Sequence, residues 1–512
     1  PNVSYCQVNL LYGTSPEQNI NIRVGLPLNS ADGGTGGVEG AWNGRTQGIG
    51  GGGCAGSLNV NAPVNAGYVG SGTDTGHTGG NCEPGVNEDG TYNFQFIQDF
   101  IRNAIKQQVL FSKSIARTYY AEKPAYNYWN GCSTGGRQGY LLAQELGKEL
   151  DGVLANAPAI YWTRFQTAQM WGQIVMKDLV GGPISAAKLN QATASAVAAC
   201  DAADGVTDGV IDDPRTCKFS ATANVCGTPT APAANCLTPQ EAEAIDKIWD
   251  GPRNEKDNKV WFGLDRGTSL PALNGTNPFA LGVTQFHWNT HDRNFDWRTV
   301  TIDGYPQVAQ DGSRNIADVT DTFGDLDTFR HHGGKLLTFV GANDQLIMPR
   351  GVINYYRQMA SRYGKHGEPD FDELQSFYRL FRAPGVAHCG GGTGPQPQNL
   401  FNTLVNWVEN GVAPDQILAQ NTTGGIVTRT RPLCPYPQTA IYKGSGSADE
   451  AANFRCGGNL EKARLVCPDV LTRYKHEVKG RLDFKGTGVD RHACFRDGHG
   501  HGHDRERHGH DD

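Results

Sequence analysis

The stretch Tyr126-Asn127-Tyr128-Trp129-Asn130-Gly131-Cys132-Ser133-Thr134-Gly135-Gly136 decides the fold. Its first five residues are rich in aromatics and read as a strand, and residues 137–150 read as a helix. Between them lies the only Gly-x-Ser-x-Gly of the chain, residues 131–135. A nucleophile elbow needs that placement: glycines permit the tight turn, and the serine hydroxyl stands above the end of a sheet. With 67 glycines in 512 residues the pattern alone is weak, and a turn whose serine merely caps the helix competes with it. The strand–turn–helix setting favours the elbow.

Outward from this turn the chain alternates strands and helices. Upstream, residues 21–26 and 67–71 read as strands, and residues 93–108 show helical spacing of Phe96, Ile97, Phe100, Ile101 and Ile105. Downstream, residues 152–157 read as a buried strand. Sheet rhythm returns with an apolar run at 335–340, a helix at 352–362 and a strand at 375–381. An amphipathic helix at 399–410 follows, with Leu400, Leu404, Trp407 and Val408 on one side. Such alternation predicts an α/β architecture, a mostly parallel sheet with helices on its faces. Residues 161–327 break the rhythm: rich in Ala, Asn, Asp and aromatics, they read as an inserted domain of helices and loops. The expected division is therefore 1–160 with 328–456 as the catalytic domain, 161–327 as the insertion, and 457–512 as an extension with a His/Gly-rich tail.

Composition narrows the partners. The balance of 45 Lys+Arg against 52 Asp+Glu, with no long basic stretch, argues against nucleic acid. No run approaches the roughly 18 apolar residues of a membrane helix. Thirteen cysteines without a single Cys-x-x-Cys point to disulfides rather than zinc, hence a secreted, extracellular or periplasmic protein. With no leader ahead of Pro1, a mature form is expected, and the odd cysteine count fits a lost partner or a free thiol. Sequons at Asn2, Asn274 and Asn421 are compatible with secretion.

A serine hydroxyl attacks only when a base takes its proton, so a carboxylate and a histidine should follow Ser133 in chain order. Asp344 comes directly after the apolar run 335–340, and His388 comes after the strand 375–381. Both are thereby placed at strand ends. Cys132 and Cys389 flank the proposed chemistry; if Ser133 and His388 meet, a disulfide between their neighbours becomes geometrically plausible. Cys132 as nucleophile is the poorer reading, since pairing removes the thiolate. The developing oxyanion needs donors: the N–H of Thr134, and one from the Gly50–Gly53 run, with Gly51 and Gly52 as candidates.

In the insertion, Cys200-Asp201-Ala202-Ala203-Asp204-Gly205-Val206-Thr207-Asp208-Gly209-Val210 gathers carboxylates around glycine turns. Asp201, Asp204 and Asp208, with the carbonyls of Val206 and Val210, form an all-oxygen set suited to a structural Ca²⁺, against a merely solvated acidic loop. Cys200 and Cys217 bracket the loop.

These residues together resemble the tannase and feruloyl esterase family: Cys132-Ser133, Asp344 and His388-Cys389, supported by Trp42-Asn43-Gly44-Arg45, Gly50 to Gly53, Thr73-Asp74-Thr75-Gly76-His77, Ser133-Thr134-Gly135-Gly136-Arg137-Gln138-Gly139 and Arg431-Pro432-Leu433-Cys434-Pro435-Tyr436-Pro437. The resemblance spans roughly residues 6 to 456. It implies an α/β-hydrolase core with a large lid, Ca²⁺ at the 201–210 loop, and disulfides Cys132–Cys389, Cys200–Cys217, Cys226–Cys236, Cys434–Cys456 and Cys6–Cys54. Cys82, Cys467 and Cys494 are left without a partner. The implied activity is hydrolysis of small esters of aromatic acids, hydroxycinnamates such as ferulate first, with gallate esters or mono(hydroxyethyl) terephthalate as alternatives. Trp162, Phe165, Trp171, Phe286 and Trp288 are candidate walls for the ring, though lid core is the first reading for each of them taken singly. A different class remains in view: a catalytically silent extracellular binding protein whose tail residues His499, His501, His503, His508 and His510 hold metal.

Overall fold

The computed structural model describes residues 3–16, 18–28, 42–322, 324–365 and 368–462. The tail histidines, Cys467, Cys494 and the sequon at Asn2 lie outside the described residues. An eight-stranded sheet takes the order β1-β2-β4-β3-β5-β6-β7-β8. Its strands are β1 Tyr5–Tyr12, β2 Ile20–Pro27, β3 Arg45–Ile49, β4 Val69–Thr73, β5 Tyr126–Cys132, β6 Gly152–Asn156, β7 Lys335–Gly341 and β8 Tyr378–Ala383. β2 runs antiparallel to both β1 and β4; every other neighbour pair is parallel.

Five helices matter for the site: α1 Ala104–Tyr120, α2 Thr134–Glu145, α3 Trp162–Ala168, α4 Pro349–Tyr363 and α5 Leu400–Asn410. The central strands are buried on both faces, and successive residues feed different cores. Trp129, Val153, Leu336 and Leu380 join a cluster with Ile105 and Val109 of α1, Tyr140 of α2 and Tyr355 of α4. Their neighbours Tyr128, Leu154, Leu337 and Phe381 join another with Leu404 and Trp407 of α5. Helices therefore cover both faces, and the expected α/β-hydrolase core is present.

Two strands of this sheet escape the sequence reading. β3 is Arg-Thr-Gln-Gly-Ile and lacks an apolar run, yet it is central; Thr46 Oγ1 meets Asn127 Oδ1 at 2.9 Å, so the buried polar groups satisfy each other. β1 is a half-exposed edge strand. The helix expected over 93–108 is interrupted by a π turn at Asp99–Asn103 before α1 begins. Among the described residues, the stretch between β6 and β7 holds helices and loops but no strand. Its aromatics Trp249, Trp261, Phe286 and Trp288 belong to the same cluster as Trp129, so its core is continuous with one face of the sheet.

Five disulfides are present among the described residues. Cys132–Cys389, Cys200–Cys217, Cys226–Cys236 and Cys434–Cys456 pair as the resemblance implies. The fifth corrects an expectation: Cys54 pairs with Cys82, which leaves Cys6 free among the described residues. The sheet register explains why. Cys6 lies opposite Leu26, beyond the Gly25–Gly70 pair at the N-terminal end of β4, whereas Cys54 follows the C-terminal end of β3. The two are separated by the length of a strand, about 15 Å, while a disulfide tolerates a Cα separation of only about 4.4–6.8 Å. The Asn274 sequon is likewise unsuited to a glycan, since Asn274 is 1% exposed and donates to the Leu270 carbonyl.

Candidate active site

The C-terminal ends of β5, β7 and β8 carry Ser133, Asp344 and His388. The chain turns from β5 into α2 within one residue, and Ser133 takes φ 62° and ψ −124°, a backbone state that L-residues seldom adopt. Its side chain makes no helix-capping bond, so the turn is not an ordinary capped helix start. The flanking glycines are sterically required: a Cβ on Gly131 would stand 2.4 Å from the Gly135 carbonyl carbon.

Asp344 is 2% exposed, and its two oxygens face different partners. Oδ1 accepts from the N–H groups of Leu346 and Ile347 at 2.9 and 2.8 Å, which fixes the carboxylate. Oδ2 meets His388 Nδ1 at 2.8 Å. With Nδ1–H donating to that carboxylate, Nε2 is left as the acceptor nitrogen. The His388 backbone N–H donates to Gln345 Oε1, and Cys389 is bonded to Cys132, which immediately precedes Ser133. Ser133 and His388 line one cavity of about 360 Å³, together with Cys132, Cys389, Thr134, Gly52 and Gly53.

The glycine loop after β3 is tied to α2 by three bonds. Gly135 N–H donates to the Gly51 carbonyl at 2.9 Å, Thr134 Oγ1 donates to the Gly53 carbonyl, and the Gly51 N–H donates to Gln138 Oε1 at 2.9 Å. The last bond corrects the expectation for Gly51: its N–H is engaged and does not serve an oxyanion. Gly52 faces the cavity, as does Thr134, whose N–H belongs to the first turn of α2 and has no intrahelical partner. Gln138 has no role assigned to it from sequence alone; it lies in the second turn of α2, within the Ser133–Gly139 stretch that carries the resemblance.

The remaining walls come largely from the segment between β6 and β7. Of the five aromatics named above, Trp162 and Phe165 line the cavity. Trp171, Phe286 and Trp288 are core instead, and the Trp288 indole donates to the Cys82 carbonyl. Arg137, fully buried on α2, lies over the Trp162 ring at 5.5 Å and donates to the Ile101 carbonyl. Burial, with Arg102 nearby, pushes its guanidinium down to about 9.

Asp201, Asp204 and Asp208 share a loop away from this cavity, stapled by Cys200–Cys217. Asp201 accepts from the N–H groups of Asp208, Gly209 and Val210, and Asp208 pairs with Arg431. Among the described residues no three His, Cys, Asp or Glu side chains stand together as a metal cluster. The donor set is nevertheless all oxygen once the Val206 and Val210 carbonyls are counted. Burial pushes Asp204 and Asp208 above the usual carboxylate range, while Arg431, joined at Asp208 by Arg429, pulls the other way.

Known proteins share this architecture. A probable feruloyl esterase of Arthroderma benhamiae is 35% identical over 486 residues, covering 89% of this chain and 86% of the relative. An uncharacterized esterase of Xanthomonas campestris is 31% identical, covering 73% of each. Among solved structures, feruloyl esterase B from Aspergillus oryzae has a TM-score of 0.76 at 26% identity, covering 88% of this chain and 90% of its own. Tannin acyl hydrolase from Aspergillus niger, at 24% identity and a TM-score of 0.77, shares the fold; it covers 90% of this chain and 87% of its own. The family model for tannase and feruloyl esterase matches residues 38–277 and 276–457. A strand-end serine, a paired Asp and His, and this breadth of similarity lead to one conclusion: the chain is a carboxylic ester hydrolase and belongs to the tannase and feruloyl esterase family.

Proposed function

We propose that the protein is a secreted serine esterase cleaving esters of aromatic acids through an acyl-enzyme. The observation that carries this reading is the Asp344–His388 bond in the same cavity as the strained Ser133. Ser133 Oγ attacks the ester carbonyl while His388 Nε2 takes its proton, and Asp344 holds the imidazole in that tautomer and stabilises its charged form. The tetrahedral oxyanion is received by the N–H groups of Thr134 and Gly52. Collapse expels the alcohol, which takes the proton from His388. Water, deprotonated by the same imidazole, then releases the acid. Trp162 and Phe165 offer flat apolar surface for an aromatic acyl group. The helical segment between β6 and β7 acts as a lid in this reading, because it supplies those walls.

Five disulfides and the fungal feruloyl esterase relative support an extracellular setting. Ca²⁺ at Asp201, Asp204, Asp208 and the carbonyls of Val206 and Val210 completes the reading. It would brace the loop and supply no chemistry to the ester.

Ser133→Ala tests the mechanism. Turnover of p-nitrophenyl acetate and methyl ferulate should fall by at least about 10³-fold with the fold intact, and the mass shift of an acylated Ser133 should be trapped only in the wild type. Full activity in the variant would remove the serine assignment.

A further inference from the structure

Thr73-Asp74-Thr75-Gly76-His77 begins at the last residue of β4, and none of the five lines the cavity. The turn they form is nevertheless held under strain. Thr75 is fully buried and takes φ 64°, a left-handed state that is an outlier for a β-branched residue. Asp74 fixes the turn: Oδ1 accepts from the Asn21 and Gly76 N–H groups at 3.0 and 2.8 Å, and Oδ2 from the Asn21 side-chain amide at 2.6 Å. Backbone strain of this kind persists where the surroundings enforce it, and it gathers at functional sites.

What the turn delivers is the His77 ring. Its Nε2 meets the Cys54 carbonyl at 2.5 Å, and Phe96 and Phe100 pack on it at 4.6 and 5.8 Å between centroids. A carbonyl only accepts, so Nε2 carries the proton and donates. Cys54 ends the Gly50–Gly53 run. Four glycines in a row have the greatest backbone freedom a chain can have, and they keep one shape only where bonds hold them. α2 holds two points, the Gly51 peptide groups and the Gly53 carbonyl. His77 holds a third from another element. Cys54 and Ala55 share that peptide unit, and the loop folds back so tightly that a Cβ on Gly51 would stand 1.9 Å from the Ala55 oxygen. Fixing the Cys54 carbonyl therefore fixes Ala55, which backs the Gly51–Gly52 peptide.

We propose that His77 is a positioning residue for the ester chemistry: through the Cys54 carbonyl it holds the glycine loop so that the Gly52 N–H stays in place for the oxyanion. The proposal rests on the serine-esterase reading above. His77 touches neither substrate nor Ser133. It acts on the transition state alone, because the Gly52 donor is called on only when the carbonyl oxygen becomes charged.

Three variants test this. His77→Phe keeps a ring against Phe96 and Phe100 and removes the donor. His77→Asn carries an amide too short to reach Cys54, and His77→Gln places an amide N–H near the position of Nε2. On p-nitrophenyl acetate, kcat should fall by roughly 10- to 100-fold in the Phe and Asn variants with KM little changed, and the Gln variant should recover most of the loss. The second readout is the Ki of phenyl trifluoromethyl ketone. Ser133 Oγ adds to its carbonyl carbon while the serine proton passes to His388, leaving a tetrahedral oxyanion in the same place. That Ki should rise by about the factor by which kcat/KM falls. A residue that only supports the fold lowers the unfolding temperature and the fraction of active enzyme, and neither moves a Ki. An unchanged Ki in a folded Phe or Asn variant, a Gln variant no better than Phe, or failure of both the Phe and Asn variants to fold would overturn the proposal. Wild type separates the two claims: a wild type that the ketone does not inhibit removes the serine mechanism, while inhibition of wild type beside an unchanged Ki in the variants removes only the role of His77.

Discussion

Asp344 shows how one side chain is prepared for a role by its neighbours. One oxygen is held by two backbone N–H groups and the other by His388, so the carboxylate cannot rotate away from the imidazole. Replacement by Asn keeps the shape and alters the pairing. The single amide oxygen would stay with the Leu346 and Ile347 N–H groups, leaving the NH₂ to face His388 Nδ1. The ring would then protonate at Nε2, which could no longer take a proton from Ser133. Asp344→Asn should lower kcat on p-nitrophenyl acetate by about 10³- to 10⁴-fold with little change in KM. A loss of less than tenfold would show that Asp344 does not set the tautomer. The placement of Ser133, Asp344 and His388 is legible in the sequence because each follows a buried strand, and a strand's C-terminal end fixes where the next few side chains lie. The burial of Gln166 and Gln169 is not legible, since a glutamine in a helix carries no mark of whether its amide is buried.

At the scale of elements, the site is a docking of the glycine loop after β3 onto the start of α2. Contact is so close that a Cβ on Gly50 would stand 2.3 Å from the Gly135 Cα, and the Gly51 N–H is anchored by Gln138, itself 1% exposed. Anchoring Gly51 leaves Gly52 as the loop's candidate donor. Gln138→Leu removes the anchor without changing size much. It should lower kcat by roughly 10- to 100-fold while KM and the far-UV spectrum hold, because an oxyanion donor that wanders is lost only in the transition state. Equal losses in kcat and in unfolding temperature would instead make Gln138 a packing residue. The same docking explains which elements could be read in advance. β5, β6 and β7 are buried on both faces and announce themselves as apolar or aromatic runs. β3 hides because its buried Thr46 and Gln47 look like loop residues until the strand beside them supplies Asn127. Cys82 could not be assigned from the sequence for a similar reason, since only the path of the loop after β4 brings it to Cys54.

At the scale of the whole molecule, two cross-links hold parts of the chain that are distant in sequence. The 201–210 loop meets the hairpin strand Ile426–Leu433 through Arg429 and Arg431, both paired with Asp208. If Ca²⁺ joins that contact, EGTA should lower the unfolding temperature and added Ca²⁺ should restore it, with Asp201→Asn blunting the response. An unfolding temperature indifferent to chelator would remove the metal. The second cross-link is covalent. Cys132–Cys389 closes a sequence separation of 257 residues. In the chain-entropy account a loop of that size removes about 5 kcal/mol of denatured-state freedom. Its position matters as much as its size, because it joins the residue before the nucleophile to the residue after the base. Without it, Ser133 and His388 depend on separate loops for their relative placement, and catalysis is sensitive to displacements of about 1 Å. The Cys132→Ala/Cys389→Ala variant should therefore unfold at lower temperature. At 25 °C, while still folded, it should also show at least a tenfold lower kcat on p-nitrophenyl acetate. A variant that loses stability but keeps its kcat would show that the bond serves the fold alone and that the loops after β5 and β8 set the serine and imidazole unaided.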